Sequence, residues 1–292
     1  MHSYTIKDLE NLSGIKAHTI RIWELRYSFL KPSRTDTNIR FYSNDELKTI
    51  LNVALLNKYG FKISHIDKMN EGEINDKIIS LNQTEAQQER IVNLLIQHMI
   101  DLDIERFEDL IDSFITSKGI EKTISQIIFP YLQKIGILWL TNHINPAQEH
   151  LVTNIIRQKL IVGIESVKSL IKINKTVLLF LPEGEYHELS LLFMNFMLKS
   201  KGVNTIYLGC SIPIYDVEYL VKLKKPDYLY THLTTPGAKF NFDKFITEVS
   251  KKFAGTQIVI SGQLTNSYEK KILPPINFKK SYAEVMEFVS GF

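Results

Sequence analysis

The chain is predicted to be a multidomain α and α/β protein, with a head of short helices, a middle four-helix bundle and a C-terminal doubly wound parallel sheet. Three observations predict it. At 292 residues it is long enough for two or three domains. From Thr84 to about Lys172 the apolar residues keep a helical period. From Lys175 onward, short β-rich runs alternate with helical segments, the pattern of a parallel sheet with crossover helices.

In the head, residues 1–70, Thr5-Ile6-Lys7-Asp8 predicts a capped helix that ends at Gly14. A second helix is expected from about Lys16 to Leu25, with Ile20 and Leu25 read as core. Leu30–Tyr42 has no helical period and suits a β-ribbon. Ser43 then caps a helix carrying Leu47, Ile50, Leu51 and Leu55, and 62–69 make one more short helix. Residues 71–83 are polar and aperiodic and read as a linker. In the bundle, 84–172, Ile91, Leu94, Leu95 and Leu102 share one face, and Asn145-Pro146 opens the last helix. In the final domain, 175–292, strands are expected at 176–181, 203–208, 227–231 and 257–261. Helices are expected near 187–201, 215–224, 239–252 and 281–290.

Composition narrows the class. The 44% hydrophobic and 23% charged content is that of an ordinary globular chain. One cysteine, Cys210, excludes a disulfide framework and argues against a cysteine-built zinc site. No basic-then-apolar leader opens the chain, and its longest apolar runs are short, so a cytoplasmic address is expected. The net charge is +3, but residues 1–70 hold 11 Lys and Arg against 7 Asp and Glu, while the remaining 222 are near neutral. A basic head on a neutral body suits a phosphate-binding module joined to a sensor.

The head carries the most specific pattern. Thr19-Ile20-Arg21-Ile22-Trp23-Glu24-Leu25-Arg26-Tyr27 is followed by Lys31-Pro32-Ser33-Arg34 and then Asn38-Ile39-Arg40-Phe41-Tyr42-Ser43. In this order they resemble the MerR family of transcription regulators over about residues 3–70, with Asn38 where the family usually has Gly. The resemblance implies a winged helix-turn-helix that binds near-palindromic DNA as a dimer. In such a motif the second helix reads base edges from its N-terminal part. Lys16, His18, Thr19 and Arg21 are the candidates there, with Arg34, Arg40 and Tyr42 expected to reach the phosphate backbone or the minor groove.

A second constellation lies behind the head. Trp139 is followed, after nine residues, by Glu149-His150, and Glu185-Tyr186-His187-Glu188-Leu189-Ser190 comes directly after the first strand of the sheet. A bundle and a sheet so marked resemble the cobalamin-binding repressors of the CarH/LitR type. The resemblance implies a Rossmann-like, cobalamin-binding fold in which His187 is the lower metal ligand to cobalt. It places Trp139, Glu149 and His150 over the upper face of adenosylcobalamin. Imidazole suits cobalt, and a carboxylate on its other nitrogen, here Glu185, would orient it. The lower pocket departs from the family's Asp-x-His-x-x-Gly. Ser190 stands at its glycine, Thr231-His232-Leu233 at its Ser-x-Leu, and Gly262-Gln263 at its paired glycines. Each change adds bulk where the nucleotide tail of the cofactor would run.

The expected function is a sequence-specific DNA-binding regulator, not an enzyme. Its partners would be an operator duplex and further copies of itself, and adenosylcobalamin and light would control its oligomerisation. Three alternatives stay open on sequence. The sensor has lost the cofactor and serves assembly or partner binding; the chain is a corrinoid carrier; or the sheet binds a nucleotide, although no Gly-x-Gly-x-x-Gly follows its first strand.

Overall fold

The computed structural model describes residues 4–140, 144–237, 240–270 and 274–292, without the side chains of 137–140. It divides into two compact units, Met1–Ile155 and Ile156–Phe292.

In the first unit, α1 (Ile6–Ser13) starts where Thr5 and Asp8 cap each other's backbone amides, and it closes at Gly14. α2 (Ala17–Arg26) buries Ile20 and Trp23. β1 (Ser33–Arg34) and β2 (Arg40–Phe41) pair antiparallel to form the ribbon. At its tip Asn38 sits at φ 63°, a left-handed conformation that Asn tolerates. A second capping box, Ser43 with Glu46, opens α3 (Asn44–Lys58), and α4 (Ile63–Ile66) follows. Leu9, Leu12, Ile20, Leu30, Leu47 and Ile50 are almost wholly buried. Each such side chain contributes roughly 1.5–3 kcal/mol on leaving water. Leu25 is a correction to the sequence reading: it is 85% exposed, because the turn of α2 that carries it faces away from this core.

Residues 71–83 also differ from the expected linker. Glu71–Ile79 form α5, started by a third capping box, Asn70 with Glu73. Of its nine residues only Ile78 is buried, so it shows almost no apolar period. α6 (Thr84–Asp101) packs on α3, and Lys48 pairs with Asp101 at 2.6 Å. α7 (Ile104–Thr123) is broken at Gly119 and continues through a π-helical stretch, Ile124–Ile128, into α8 (Phe129–Leu140). α9 (Pro146–Ser166) begins at Asn145, whose Oδ1 accepts the Ala147 amide at 2.9 Å. Gln148 is buried and donates to the carbonyls of Met99 and Ile100, fastening this start to the end of α6.

The second unit holds a parallel sheet in the order β4-β3-β5-β6-β7. Its strands are β3 (Ile173–Pro182), β4 (Val203–Ile212), β5 (Tyr228–His232), β6 (Gln257–Ser261) and β7 (Ile276–Lys279). Val177–Leu181 are buried without interruption, as in a strand covered on both faces. On one face Leu178, Phe180, Leu229 and Ile258 pack with Val217 of α11 (Ile214–Lys224) and Phe245 and Val249 of α12 (Phe242–Lys252). α10 (Leu189–Ser200) packs on β3, β4 and β5, and α14 (Tyr282–Ser290) on β7; a four-residue helix, α13 (Gln263–Asn266), follows β6. Four strands fall where sequence places them. The fifth, β7, is a short edge strand with the polar residues Asn277 and Lys279, and no alternation marks it.

One close approach fixes how β3 and β4 begin. The Gly202 carbonyl accepts the Ile173 amide at 2.9 Å, and a Cβ on Gly202 (φ 86°) would lie 1.9 Å from the Ile171 carbonyl oxygen. Gly202→Ala is therefore expected to lower stability by roughly 1–3 kcal/mol. A fall in the urea midpoint, followed by circular dichroism, would show this; an unchanged midpoint would refute it.

Candidate functional site

On the head, Lys16, His18 and Arg21 are exposed and Thr19 is half-buried along the N-terminal part of α2. His18 Nε2 and Thr19 Oγ1 are 3.3 Å apart. Arg34 is exposed on the wing and donates to Asn38 Oδ1 at 2.7 Å, so the tip residue steadies the arginine beside it. Arg26, exposed at the end of α2, joins this basic set and was not among the residues expected from sequence.

Arg40 and Tyr42 take a different part. Arg40 Nε donates to Glu24 Oε2 at 2.9 Å, and the Tyr42 hydroxyl donates to Glu24 Oε1. Tyr42 is fully buried, and burial together with Glu24 pushes its hydroxyl well above the ordinary tyrosine range. Tyr42 is thus a fastener between wing and helix, which corrects its expected role as a phosphate donor. Glu24, with a side chain 7% exposed, is the hub that sequence reasoning missed. Its contacts lie 16 and 18 residues away, beyond any local pattern.

At the start of α9, Glu149 Oε1 accepts the Thr153 hydroxyl at 2.7 Å and its Oε2 lies 3.0 Å from His150 Nδ1. The His150 side chain is 69% exposed. Trp139 falls in the last turn of α8, and its side chain lies outside the described residues.

In the sheet unit, α10 begins at Leu189, which leaves Glu183–Glu188 as a loop at the carboxyl end of β3. Glu185 is fully buried there. Its Oε1 lies 2.6 Å from His187 Nδ1 and also accepts the His187 amide, at 3.0 Å. Its Oε2 accepts the amides of Thr234 and Thr235 at 2.9 and 3.1 Å. Burial works to raise the Glu185 carboxyl, but the bonds from His187 and Thr234 outweigh it and hold the group below the ordinary range. In the neutral ring, a proton on Nδ1 facing this carboxylate leaves the lone pair on Nε2. The His187 side chain itself is 55% exposed.

Below this pair the strand ends are filled. His232 Nδ1 lies 2.8 Å from Ser261 Oγ, which also meets the Tyr230 hydroxyl at 2.6 Å. Burial lowers the His232 imidazole to about 4, so it is neutral. Thr231 is buried, and its hydroxyl has no hydrogen-bond partner among the described residues. Leu233 belongs to the apolar core, and Ser190 sits half-buried in the first turn of α10. Gly262 (φ 100°) is there because a Cβ would lie 2.3 Å from the Leu233 carbonyl oxygen. Its missing side chain serves this close backbone contact.

A second carboxylate was also missed. Glu188 Oε1 accepts the Tyr207 hydroxyl at 2.8 Å, and its Oε2 lies 3.3 Å from Arg157 Nε. Burial and Glu188 push the thiol of Cys210, half-buried on β4, above its ordinary range. No group of three or more His, Cys, Asp or Glu able to hold a metal occurs among the described residues, and no helix among them is long and apolar enough to cross a membrane.

Residues 4–73 match the MerR HTH family regulatory protein, and residues 91–162 match the B12 binding domain. The chain is 25% identical over 275 residues to the HTH-type transcriptional repressor CarH of Myxococcus xanthus, covering 91% of each. It is 25% identical over 284 residues to the HTH-type transcriptional repressor CarA of the same organism, covering 97% of this chain and 93% of that one. Among solved structures, the Methanosarcina barkeri monomethylamine corrinoid protein superposes with a TM-score of 0.58 at 12% identity. It covers 70% of this chain and is itself wholly covered, a likeness of fold alone.

Replacing Glu24 with Ala removes the acceptor of both the buried Tyr42 hydroxyl and the Arg40 guanidinium. The head is expected to lose about 1–3 kcal/mol. Amide exchange across residues 33–42 should quicken in step; a variant as stable and as protected as the parent would exclude this fastening role.

Proposed function

We propose that this chain, a MerR-type helix-turn-helix head joined to a B12-binding-type body and homologous to two transcriptional repressors along nearly its whole length, is a sequence-specific DNA-binding transcriptional regulator whose body senses a corrinoid. The observation that carries the reading is the ordered basic face of the head. Lys16, His18 and Arg21 stand exposed on the front of α2, and Arg34 stands exposed on the wing. Such a helix reads bases in the major groove, while the wing arginine holds phosphate and sets the register. Arg40 and Tyr42 act through Glu24, by fixing the angle between wing and helix. The regulator binds as a dimer at least, acts in the cytoplasm and requires no reaction on a substrate. Repression is the expected sign.

The body's residues fit one part of a cobalamin well. His187, with Nδ1 held by the Glu185 carboxylate and the lone pair on Nε2, is oriented as a carboxylate-backed metal ligand and would hold cobalt from below. Trp139, Glu149 and His150 are the residues proposed for the upper face. When bound, adenosylcobalamin supplies a cobalt–carbon bond that light breaks. Assembled and dissociated states of differing stability would then set DNA affinity.

The DNA reading is tested by a gel-shift titration against operator-length duplex. Arg21→Ala should cost about 1–3 kcal/mol and relax discrimination between sequences. Arg34→Ala should weaken binding to all sequences and reduce the salt slope by about 1. Two variants that bind like the parent would refute it. The cofactor reading is tested by mixing the full chain with adenosylcobalamin in the dark, desalting, and recording absorbance before and after green light. A corrin spectrum that co-elutes, depends on His187 and changes on illumination is expected. A colourless protein would leave a DNA-binding regulator whose body serves assembly or partner binding.

A further inference from the structure

We propose that the sheet unit grips a corrin by its ring alone and leaves any nucleotide arm outside the protein, so that the chain is a receptor for nucleotide-free corrinoids as well as complete ones. The inference rests on the corrinoid reading above and deepens it.

In an open parallel sheet, a ligand's appended group enters a crevice beyond the carboxyl ends of the strands, foremost where the strand order reverses. Here that point lies between β3 and β5. It is laced shut. Glu185 Oε2 takes the amides of Thr234 and Thr235 from the opposite loop, and the Gly237 amide donates to the Gly184 carbonyl at 3.0 Å. The next crevice, between β5 and β6, is closed by backbone: Leu233 donates to the Ser261 carbonyl at 2.8 Å and Leu264 to the Leu233 carbonyl at 3.3 Å. Gly262 lies so close to Leu233 there that even a methyl group would clash. Beneath, the space is taken by Tyr230, Ser261 and His232, joined by their own hydrogen bonds. On the other side of β3, the Ser211 amide donates to the Glu185 carbonyl at 3.1 Å and the Gly184 amide to Ser211 Oγ at 3.3 Å.

The three crevices at this end of the sheet are therefore bridged by the protein's own polar contacts. An arm of base, ribose and phosphate would have to break several of them, and among the described residues these strand ends offer only the unpaired Thr231 hydroxyl in return. His187 is different, for its side chain is more than half exposed and its ring is set by a buried carboxylate. A flat ring can be held at that imidazole from outside. In a complete corrinoid the tethered base would compete with His187 for cobalt and, if displaced, would gain no crevice. A nucleotide-free corrinoid lacks that competitor.

The test is an absorbance titration of the full chain with diaquocobinamide and, separately, with hydroxocobalamin, repeated with His187→Ala. Cobinamide is expected to bind at least as tightly as the cobalamin, and both should weaken tenfold or more in the variant. Cobalamin binding tenfold or more tighter than cobinamide would overturn the inference while leaving corrinoid sensing intact. Failure of both corrinoids to bind would overturn the inference and the cofactor reading together. A corrin bound with no dependence on His187 would also overturn it, since the ring would be held elsewhere.

Discussion

The carboxylate of Glu185 ties the His187 loop to the loop after β5 at the head of the sheet unit. One oxygen takes the ring and the amide of His187; the other takes two amides from the loop after β5. A buried carboxylate without such partners would be costly, so burial and bonding enforce each other. The loop geometry at the head of the sheet follows from it. His187 is aimed, the mouth between β3 and β5 is closed, and the carboxyl ends of both strands are held level. The same group that orients the imidazole also denies the space beneath it.

The head is organised in a like manner by Glu24. A charge on α2 holds a guanidinium and a phenol of the ribbon, so the helix and the ribbon are fastened to each other. In the proposed DNA-binding role, these two surfaces would meet a duplex at a fixed angle. Arginines that look equivalent in sequence divide into two kinds. Arg34 faces solvent beside Asn38, whereas Arg40 gives its Nε to Glu24 and is 28% exposed.

Much of this was legible in the sequence where the cause is local. Thr5 with Asp8 and Ser43 with Glu46 announce helix starts three residues apart. The apolar run in β3 announces a strand buried on both faces. Glu185 and His187 lie two residues apart in a turn, so their pairing could be anticipated. What escaped depends on distance or exposure. α5 buries one side chain, so it has no period to read. β7 is a four-residue edge strand. The exposure of Leu25 follows from which side of α2 the rest of the head covers. Tyr42 and Glu24 meet through the folding of the wing onto the helix. The amides of Thr234 and Thr235 are donors that any residue would supply, so no letter in the sequence marks them.

The environment of Cys210 has a bearing on what kind of signal this protein can receive. Its thiol is the chain's only one, and burial together with the Glu188 carboxylate keeps it protonated at neutral pH. Peroxides and disulfides react with thiolates, so this sulfur is a poor target for either. On the strand next to the His187 loop, Cys210 is therefore slow to react with cellular oxidants. That low reactivity comes from burial and from a carboxylate placed beside a half-buried sulfur.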